Sequence, residues 1–173
     1  MSSSLGVLLD DHNQLDEIFR LHQEALLMRN FPGAMVQLNR FARLLEPHMQ
    51  AEEELLLPLY AQRAGVIPGG GIELFQAEHK KILKTLGELT QLADGLTGCK
   101  LPEGKRENDP ACREVLQKIL KVIDKEYLFK DLMHHHDLRE RTFLYPALER
   151  MLAEEEKFDL VERMVGLEME EAR

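Results

Sequence analysis

The chain has 173 residues, of which 44% are hydrophobic and 31% are charged, and this composition is typical of one folded domain. Its 22 Lys and Arg face 31 Asp and Glu, and the net charge of -9 disfavours a nucleic-acid or anionic membrane partner. The sequence has neither an apolar run of membrane-helix length nor a signal pattern, and it has only two Cys. We therefore expect a single cytoplasmic domain over residues 1–173.

The spacing of apolar residues is the main signal for secondary structure. These residues recur three and four positions apart along the whole chain, which predicts an all-α fold, and Gly and Pro divide the pattern into segments. The predicted helices run from about Leu5 to Arg29, from the break Asn30-Phe31-Pro32-Gly33 to just before Arg63, from Ile72 to Leu96, from Asp109-Pro110 to beyond Phe143, and from Glu154 to Glu168.

The number and length of these helices favour one architecture. Four long helices with short connections pack as an antiparallel up-and-down four-helix bundle, here over about residues 5–151, with a short fifth C-terminal helix beside it. Pro47 is expected to kink the second helix, because proline removes a backbone donor. The fourth helix is longer than its neighbours, so we expect it to project from the bundle or to break near its start.

Polar residues interrupt the apolar face near the middle of each long helix. The first and third helices each carry a histidine there, and the second and fourth each carry a histidine followed one turn later by a glutamate. Burying such groups without partners costs several kcal/mol each, whereas a pair of metal ions would satisfy them together. The predicted metal ligands are His12, His48, Glu52, His79, His136 and Glu140.

The second and fourth helices also repeat one local pattern. His48 and Glu52 are followed by Pro58, and His136 and Glu140 are followed at the same distances by Pro146. One carboxylate from each helix can bridge two cations, and imidazole ligands suit iron, zinc or copper. We expect two iron ions, with manganese or zinc as the alternatives.

These two units, together with Asp11-His12 and Glu78-His79-Lys80, resemble the hemerythrin-like, or HHE cation-binding, family over about Leu5 to Met164. The resemblance implies a four-helix bundle that holds a non-haem di-iron centre bridged by two carboxylates and an oxygen species. It implies the same six ligands.

The third helix departs from the oxygen-carrying members of this family. Those proteins have two histidines one turn apart, where this chain has Phe75 and His79. A set of four His and two Glu more closely resembles the di-iron proteins that repair iron-sulfur centres. We do not expect the Cys-bearing N-terminal domain common in that group, because His12 already belongs to the first predicted helix.

We therefore expect a di-iron protein that binds or reacts with a small diatomic ligand or a peroxide. Its role would be oxygen, nitric oxide or redox sensing, or iron-centre repair. One alternative is a di-iron oxidase or peroxidase, which needs a channel to the metals and a nearby proton donor. Another is a metal-stabilised helical interaction module, with a protein partner or a second copy of the chain.

Several residues near these motifs have more than one interpretation. His134 and His135 are expected to be exposed, with His135 as the alternative inward-facing ligand to His136. Glu53 and Glu54 either hydrogen-bond to ligand imidazoles or lie in solvent.

Residues farther from the motifs are expected to be structural. His22 lies too far along the first helix for the same site. Tyr127 and Tyr145 are expected to pack, with a hydrogen bond near the metals as the alternative. Cys99 and Cys112 are expected to be free thiols, with a disulfide as the alternative.

Overall fold

The computed structural model describes residues 5–65, 67–100 and 109–171, except for the side chains of 6–11, 170 and 171. These ranges contain helices and short connections and no strand, so the predicted all-α class is confirmed. The Asp11 side chain and most of the polar connection before Asp109 lie outside the described residues. None of the described helices is both long enough and apolar enough to cross a membrane.

Seven α-helices and two π-helical segments follow one another along the described chain. The first π-helical segment, Glu52–Leu56, joins α2 to α3, and the second, Glu140–Leu144, joins α5 to α6. The helices are α1 (Gly6–Leu27), α2 (Phe31–Ala51), α3 (Leu57–Ala64), α4 (Ile72–Thr97), α5 (Pro110–Arg139), α6 (Tyr145–Met151) and α7 (Glu154–Glu171).

The helix starts follow from local capping. The Asn30 side chain accepts a hydrogen bond from the Gly33 backbone N–H at 3.1 Å, and Asp109 accepts one from Ala111 at 2.9 Å. Pro110 then occupies the first position of α5. A backbone N–H at this position would have no acceptor within the helix, so proline costs no hydrogen bond here.

The four-helix bundle is formed by α1, α2 with α3, α4, and α5 with α6. α1 packs against α2, α2 against α4, and α4 against α5. Contacts at two levels show that α1 runs antiparallel to α2 and that α4 runs antiparallel to α5. The predicted bundle is therefore confirmed. The predicted fifth helix is α7, which packs along α2 and the first π-helical segment.

The unbroken length of α5 decides between two expectations. α5 continues for 30 residues, and Lys118 Nζ lies 3.9 Å from Cys99 Sγ, just beyond the end of α4. The N-terminal turns of α5 therefore project past α4, and the helix does not break.

The π-helical segments are the main irregularity that sequence patterns did not predict. The Leu57 N–H donates to the Glu52 carbonyl and the Tyr145 N–H donates to the Glu140 carbonyl, five residues back in each case. Proline follows at once in both places. Its ring crowds the carbonyl four residues earlier, and a wider turn relieves that crowding. By contrast, α2 continues through Pro47 to Ala51.

Two apolar clusters occupy the interior of the bundle, with the polar residues of the four helices between them. The larger cluster includes Leu38, Phe41, Ile82 and Phe129, and the smaller includes Leu56, Phe75 and Leu144. The order of residues along α4 illustrates this arrangement. Phe75 belongs to the smaller cluster, Ile82 belongs to the larger, and His79 lies between them.

An exposed ion pair holds α7 against α3. Arg63 donates to both carboxylate oxygens of Glu156, at 2.6 and 3.1 Å. The Arg63 hydrogen bonds, assisted by the Ala153 N–H, lower the pKa of Glu156 to about 2 from an ordinary value of 4.5.

Replacing Glu156 with Gln tests this pair through its pH dependence. A carboxylate with a lowered pKa stabilises the fold fully above pH 4.5 and loses its effect as the pH falls towards 2. We expect Glu156→Gln to lower the free energy of unfolding slightly at pH 7, and the difference from the original chain to shrink on acidification. Denaturant unfolding at several pH values measures it, with exposed Glu155→Gln as the control. A pH-independent difference would contradict this explanation.

Candidate metal centre

The structure brings all six predicted ligands together between the two apolar clusters. Five of them are almost fully buried, and His12, on α1, is partly exposed. Their imidazole Nε2 atoms and carboxylate oxygens point towards one another. Their role as metal ligands stays a prediction.

The first group of facing atoms, here called position A, involves α1 and α2. His12 Nε2 lies 3.1 Å from His48 Nε2 and 3.4 Å from Glu140 Oε2. His48 Nε2 lies 3.3 Å from Glu52 Oε1. Position A therefore presents two imidazole nitrogens and one oxygen from each glutamate.

The second group, position B, involves α4 and α5. His79 Nε2 lies 3.3 Å from Glu52 Oε2, and His136 Nε2 lies 3.1 Å from Glu140 Oε1. Ligand atoms of these four residues all lie within 4.8 Å of one another. Position B thus repeats the composition of position A, and each glutamate faces both positions, one oxygen to each.

A second ring of carboxylates surrounds the four histidines. The Nδ1 atom of each imidazole faces a carboxylate oxygen while its Nε2 atom faces position A or B. A carboxylate in this place fixes the orientation of a ligand imidazole and makes the inward nitrogen more basic. The pairs are His12 with Asp137 at 2.6 Å, His48 with Glu168 at 3.1 Å, His79 with Glu53 at 3.0 Å and His136 with Glu78 at 3.4 Å.

This arrangement leaves lone pairs pointing inward. When Nδ1 donates its proton to a carboxylate, the Nε2 atom of a neutral imidazole carries a lone pair. His12 and His48 would then direct two lone pairs at each other across 3.1 Å, which is repulsive unless a proton or a metal ion lies between them. The geometry therefore suits a metal ion.

Position B contains buried polar atoms that lack hydrogen-bond partners, and this also indicates a cation site. Native proteins leave few buried polar atoms without partners, because each costs the full desolvation penalty. Among the described residues, four atoms of position B are buried and have no hydrogen-bond partner: Glu52 Oε2, His79 Nε2, His136 Nε2 and Glu140 Oε1. These atoms fit a cation with nitrogen and oxygen ligands.

The charges of these groups shift one another's pKa values. Burial lowers the pKa of His136, but the carboxylates of Glu140 and Glu78 outweigh it and raise the pKa to about 10. Burial and then the charge of Glu52 raise the pKa of Glu140. A metal ion must therefore compete with protons for the imidazoles, and its affinity rises with pH.

Tyr145 is a site residue that sequence analysis expected mainly to pack. Its hydroxyl lies 3.3 Å from Glu52 Oε1 and 3.4 Å from Glu140 Oε2, the two carboxylate oxygens of position A. Burial and the negative charge of both carboxylates raise the pKa of Tyr145 well above its usual range. The phenol therefore keeps its proton and donates it in these hydrogen bonds.

Phe75 occupies the place where the oxygen-carrying relatives have a second histidine on the third helix. Its side chain is fully buried and packs edge-on against Tyr60, with ring centroids 6.1 Å apart. Phe75 cannot coordinate a metal, so position B has two imidazoles only.

A cavity of about 750 Å³ opens beside position A, between α1, α2 and α5. His12, His48 and His136 line it at one end, and Tyr127 lies at its rim. Tyr127 is 75% exposed, so the expectation that it packs was wrong.

The contacts of His135, Glu53 and Glu54 decide between the alternative roles that the sequence left open for these residues. His135 is exposed and its Nδ1 atom bonds to the Asp131 carbonyl, so it does not replace His136. Glu53 contacts His79, whereas Glu54 accepts a hydrogen bond from exposed Gln50.

Three further residues lie apart from the centre. Cys99 and Cys112 are free thiols, as expected. His22 is buried, and its two ring nitrogens contact the Ala34 carbonyl and the Glu126 carboxylate.

A helical bundle with buried imidazoles on both sides of two shared carboxylates can hold metal ions, and comparison with known proteins gives the same class. The family model described as the hemerythrin HHE cation binding domain matches residues 3–126. This is more than half of the chain, so the chain belongs to the hemerythrin HHE cation-binding domain family. The comparisons with curated proteins and with solved structures give no match.

The family match and the geometry complement each other. The matched range includes His12, His48, Glu52 and His79, and it ends before His136 and Glu140. The structure places these last two beside the others.

Removing one ligand should empty one position. We expect the chain to bind about two divalent ions and His136→Ala to bind about one, because position B loses a nitrogen while position A keeps both of its own. Neighbouring His135→Ala, which removes an exposed imidazole, is the matched control. Metal analysis after loading with zinc measures the ratio, and equal stoichiometry in both variants would contradict the assignment.

The outer carboxylates should tune affinity without changing stoichiometry. Glu53→Gln removes the charge beside His79, and we expect metal affinity at position B to fall about 10- to 100-fold. Glu54→Gln changes the adjacent exposed carboxylate and should leave affinity unchanged. Competition with a chromogenic chelator distinguishes them, and an equal effect of both variants would point to general surface charge instead.

Proposed function

We propose that this protein holds a non-haem di-iron centre that binds or reacts with a small diatomic molecule or a peroxide. The main support is the placement of the two glutamates. Glu52 and Glu140 each direct one oxygen to position A and one to position B, which is the arrangement that two bridged metal ions require.

The donor set favours iron over structural zinc. Each position offers two imidazole nitrogens and two carboxylate oxygens, and no cysteine sulfur is included. Iron and manganese accept more than four ligands, whereas structural zinc is closed by four and often uses cysteine. Each position would therefore leave room for an external ligand.

The bound metals would supply electrons and Lewis acidity, and the chain's own residues prepare their surroundings. Asp137, Glu168, Glu53 and Glu78 orient the imidazoles, and an apolar cluster lies on each side of them. The Tyr145 hydroxyl holds a proton at position A. This is where a reduced oxygen species would need one.

Sensing and repair roles require only a small ligand, and both agree with the four-His, two-Glu donor set. A second candidate function, a di-iron oxidase or peroxidase, is favoured by the cavity. It provides the access that such an enzyme needs, because it reaches His12 and His48 from solvent.

Metal content and the optical spectrum of anaerobically prepared protein test the proposal. About two irons per chain, with new oxo-bridge bands after exposure to oxygen or peroxide, are the expected result. Zinc-loaded protein is the control for binding without redox chemistry. Iron that binds and never reacts, while its removal only lowers the melting temperature, would instead support a metal-stabilised interaction module.

Replacing Tyr145 with Phe separates reactivity from metal binding. We expect the variant to retain its iron and to react with peroxide about 100-fold more slowly, because a positioned proton donor contributes at least this much. Stopped-flow absorbance measures the rate.

The matched control is Tyr60→Phe, which removes another buried hydroxyl. That hydroxyl donates to the Gly70 carbonyl at 2.8 Å, in the smaller apolar cluster. Equal rates in the two variants would exclude a proton-donating role for Tyr145.

A further inference from the structure

The cavity beside position A is much larger than a diatomic molecule or a peroxide requires. Its volume is about 750 Å³, whereas a water-sized molecule occupies about 30 Å³ in the liquid. Cavities of about 300–1,000 Å³ hold organic ligands. The cavity is therefore large enough for an organic molecule next to position A.

The near end of the cavity lies at position A. Its lining includes both imidazoles of position A, His12 and His48, and Asp137, which orients His12. Of position B, His136 also lines the cavity, whereas His79 is 1% exposed and does not. Position A has both of its imidazoles at the cavity and position B has one, so an organic molecule in the cavity would meet position A first.

The middle of the cavity is apolar and rich in aromatic rings. Phe19, Phe41 and Phe129 form a wall with ring centroids 5.2 to 5.6 Å apart. Met49 and Met133 add polarizable sulfur to the lining. Ring edges and thioethers contact an aromatic ligand favourably.

The far end carries a buried carboxylate that is held by its neighbours. Glu126 lines the cavity and is 3% exposed. His22 Nε2 lies 2.9 Å from its Oε1 atom, and Gln23 donates to its Oε2 atom at 2.7 Å. His22 Nδ1 must donate to the Ala34 carbonyl, 2.8 Å away, because a carbonyl only accepts. Each Glu126 oxygen retains a second lone pair for a ligand hydroxyl.

The separation of the two ends sets the length of the ligand. Gln23 lies eleven residues beyond His12 on α1, which corresponds to about 16 Å along the helix axis. A molecule that reaches both ends must be elongated. It needs a hydrogen-bond donor for Glu126, an apolar aromatic body and a reactive group at position A.

We propose that this cavity binds an elongated phenol with a hydroxyl at each end, one that donates to Glu126 and one at position A that serves as the organic electron donor of the centre. The inference rests on the proposed function, because the oxidant is the peroxide that the centre would consume. In the overall reaction two phenol O–H bonds break and each phenol loses one electron and one proton. The O–O bond of hydrogen peroxide breaks, each oxygen gains one electron and one proton, and two waters and two phenoxyl radicals form.

The binding part is tested on zinc-loaded protein, which cannot carry out the redox step. 4,4′-Dihydroxystilbene is the probe, and trans-stilbene, which lacks both hydroxyls, is the comparison ligand. Isothermal titration calorimetry should show about tenfold tighter binding of the diphenol, because its hydroxyl donates a further hydrogen bond to the Glu126 carboxylate. Equal affinity for both ligands, or no binding, would overturn the proposal.

Two matched variants on α5 locate the binding site. Ile123 lines the cavity, whereas Leu128 is exposed on the same helix and does not line it. We expect Ile123→Trp to weaken diphenol binding about tenfold by occupying the cavity, and Leu128→Trp to leave it unchanged. Equal affinity of the two variants would place the ligand elsewhere.

Glu126→Gln tests the polar end, with the melting temperature recorded because His22 contacts the same carboxylate. We expect the variant to lose its preference for the diphenol over stilbene. A retained preference in a folded variant would overturn the role of Glu126, and the Ile123 and Leu128 pair tests the cavity if this variant does not fold.

Iron-loaded protein separates the two proposals. Failure of the proposed function appears as absence of any spectral change with peroxide alone. If peroxide reacts, we expect Ile123→Trp to slow phenol consumption about tenfold more than it slows the initial reaction with peroxide. Phenol that binds without being consumed, while peroxide reacts, would overturn its role as electron donor.

Discussion

Four imidazoles and two carboxylates are buried in one apolar interior, and the contacts that surround them reduce the free-energy cost of that burial. Isolated, each group would cost several kcal/mol, and an unpaired charge would cost more. The chain places Glu52 and Glu140 where each can serve two positions, and it gives every imidazole an outer carboxylate. Among the described residues, four of the five buried side-chain atoms that still lack hydrogen-bond partners belong to position B, and the fifth is Gln37 Oε1.

The π-helical segments can be understood from the same constraint. Each begins at the glutamate that is shared between the positions and ends just before a proline-containing turn. The wider turn shifts the side chains that follow it around the helix. In the second repeat, the Tyr145 hydroxyl therefore lies beside the two carboxylates and not on the outer face of the helix. The local distortion thereby supplies a donor to the buried oxygens.

Sequence patterns were sufficient for the bundle and for the choice of inward-facing histidines because both depend on helical periodicity. His136 falls on the apolar phase and His135 does not, and the structure places them accordingly. Of the outer carboxylates, Glu53 was one of two interpretations of the sequence, whereas Glu168 and Asp137 could not be predicted in the same way. Glu168 meets His48 only because α7 folds back along α2, and Asp137 meets His12 from a helix distant in sequence. The cavity depends on the separation of α1 from α5, which periodicity does not encode.

The residues that differ between the two repeated units lie mainly at position A. Counting from His48 and His136, Leu57 corresponds to Tyr145, and Met49 corresponds to Asp137. Tyr145 and Asp137 both act at position A, the first on its carboxylate oxygens and the second on His12. Position A also has both of its imidazoles at the cavity, whereas position B has only His136 there, and Phe75 stands one turn before His79 in place of another imidazole. A pair of metals held in these positions would be chemically unequal from the outset, with ligand exchange favoured at A and retention of the metal favoured at B.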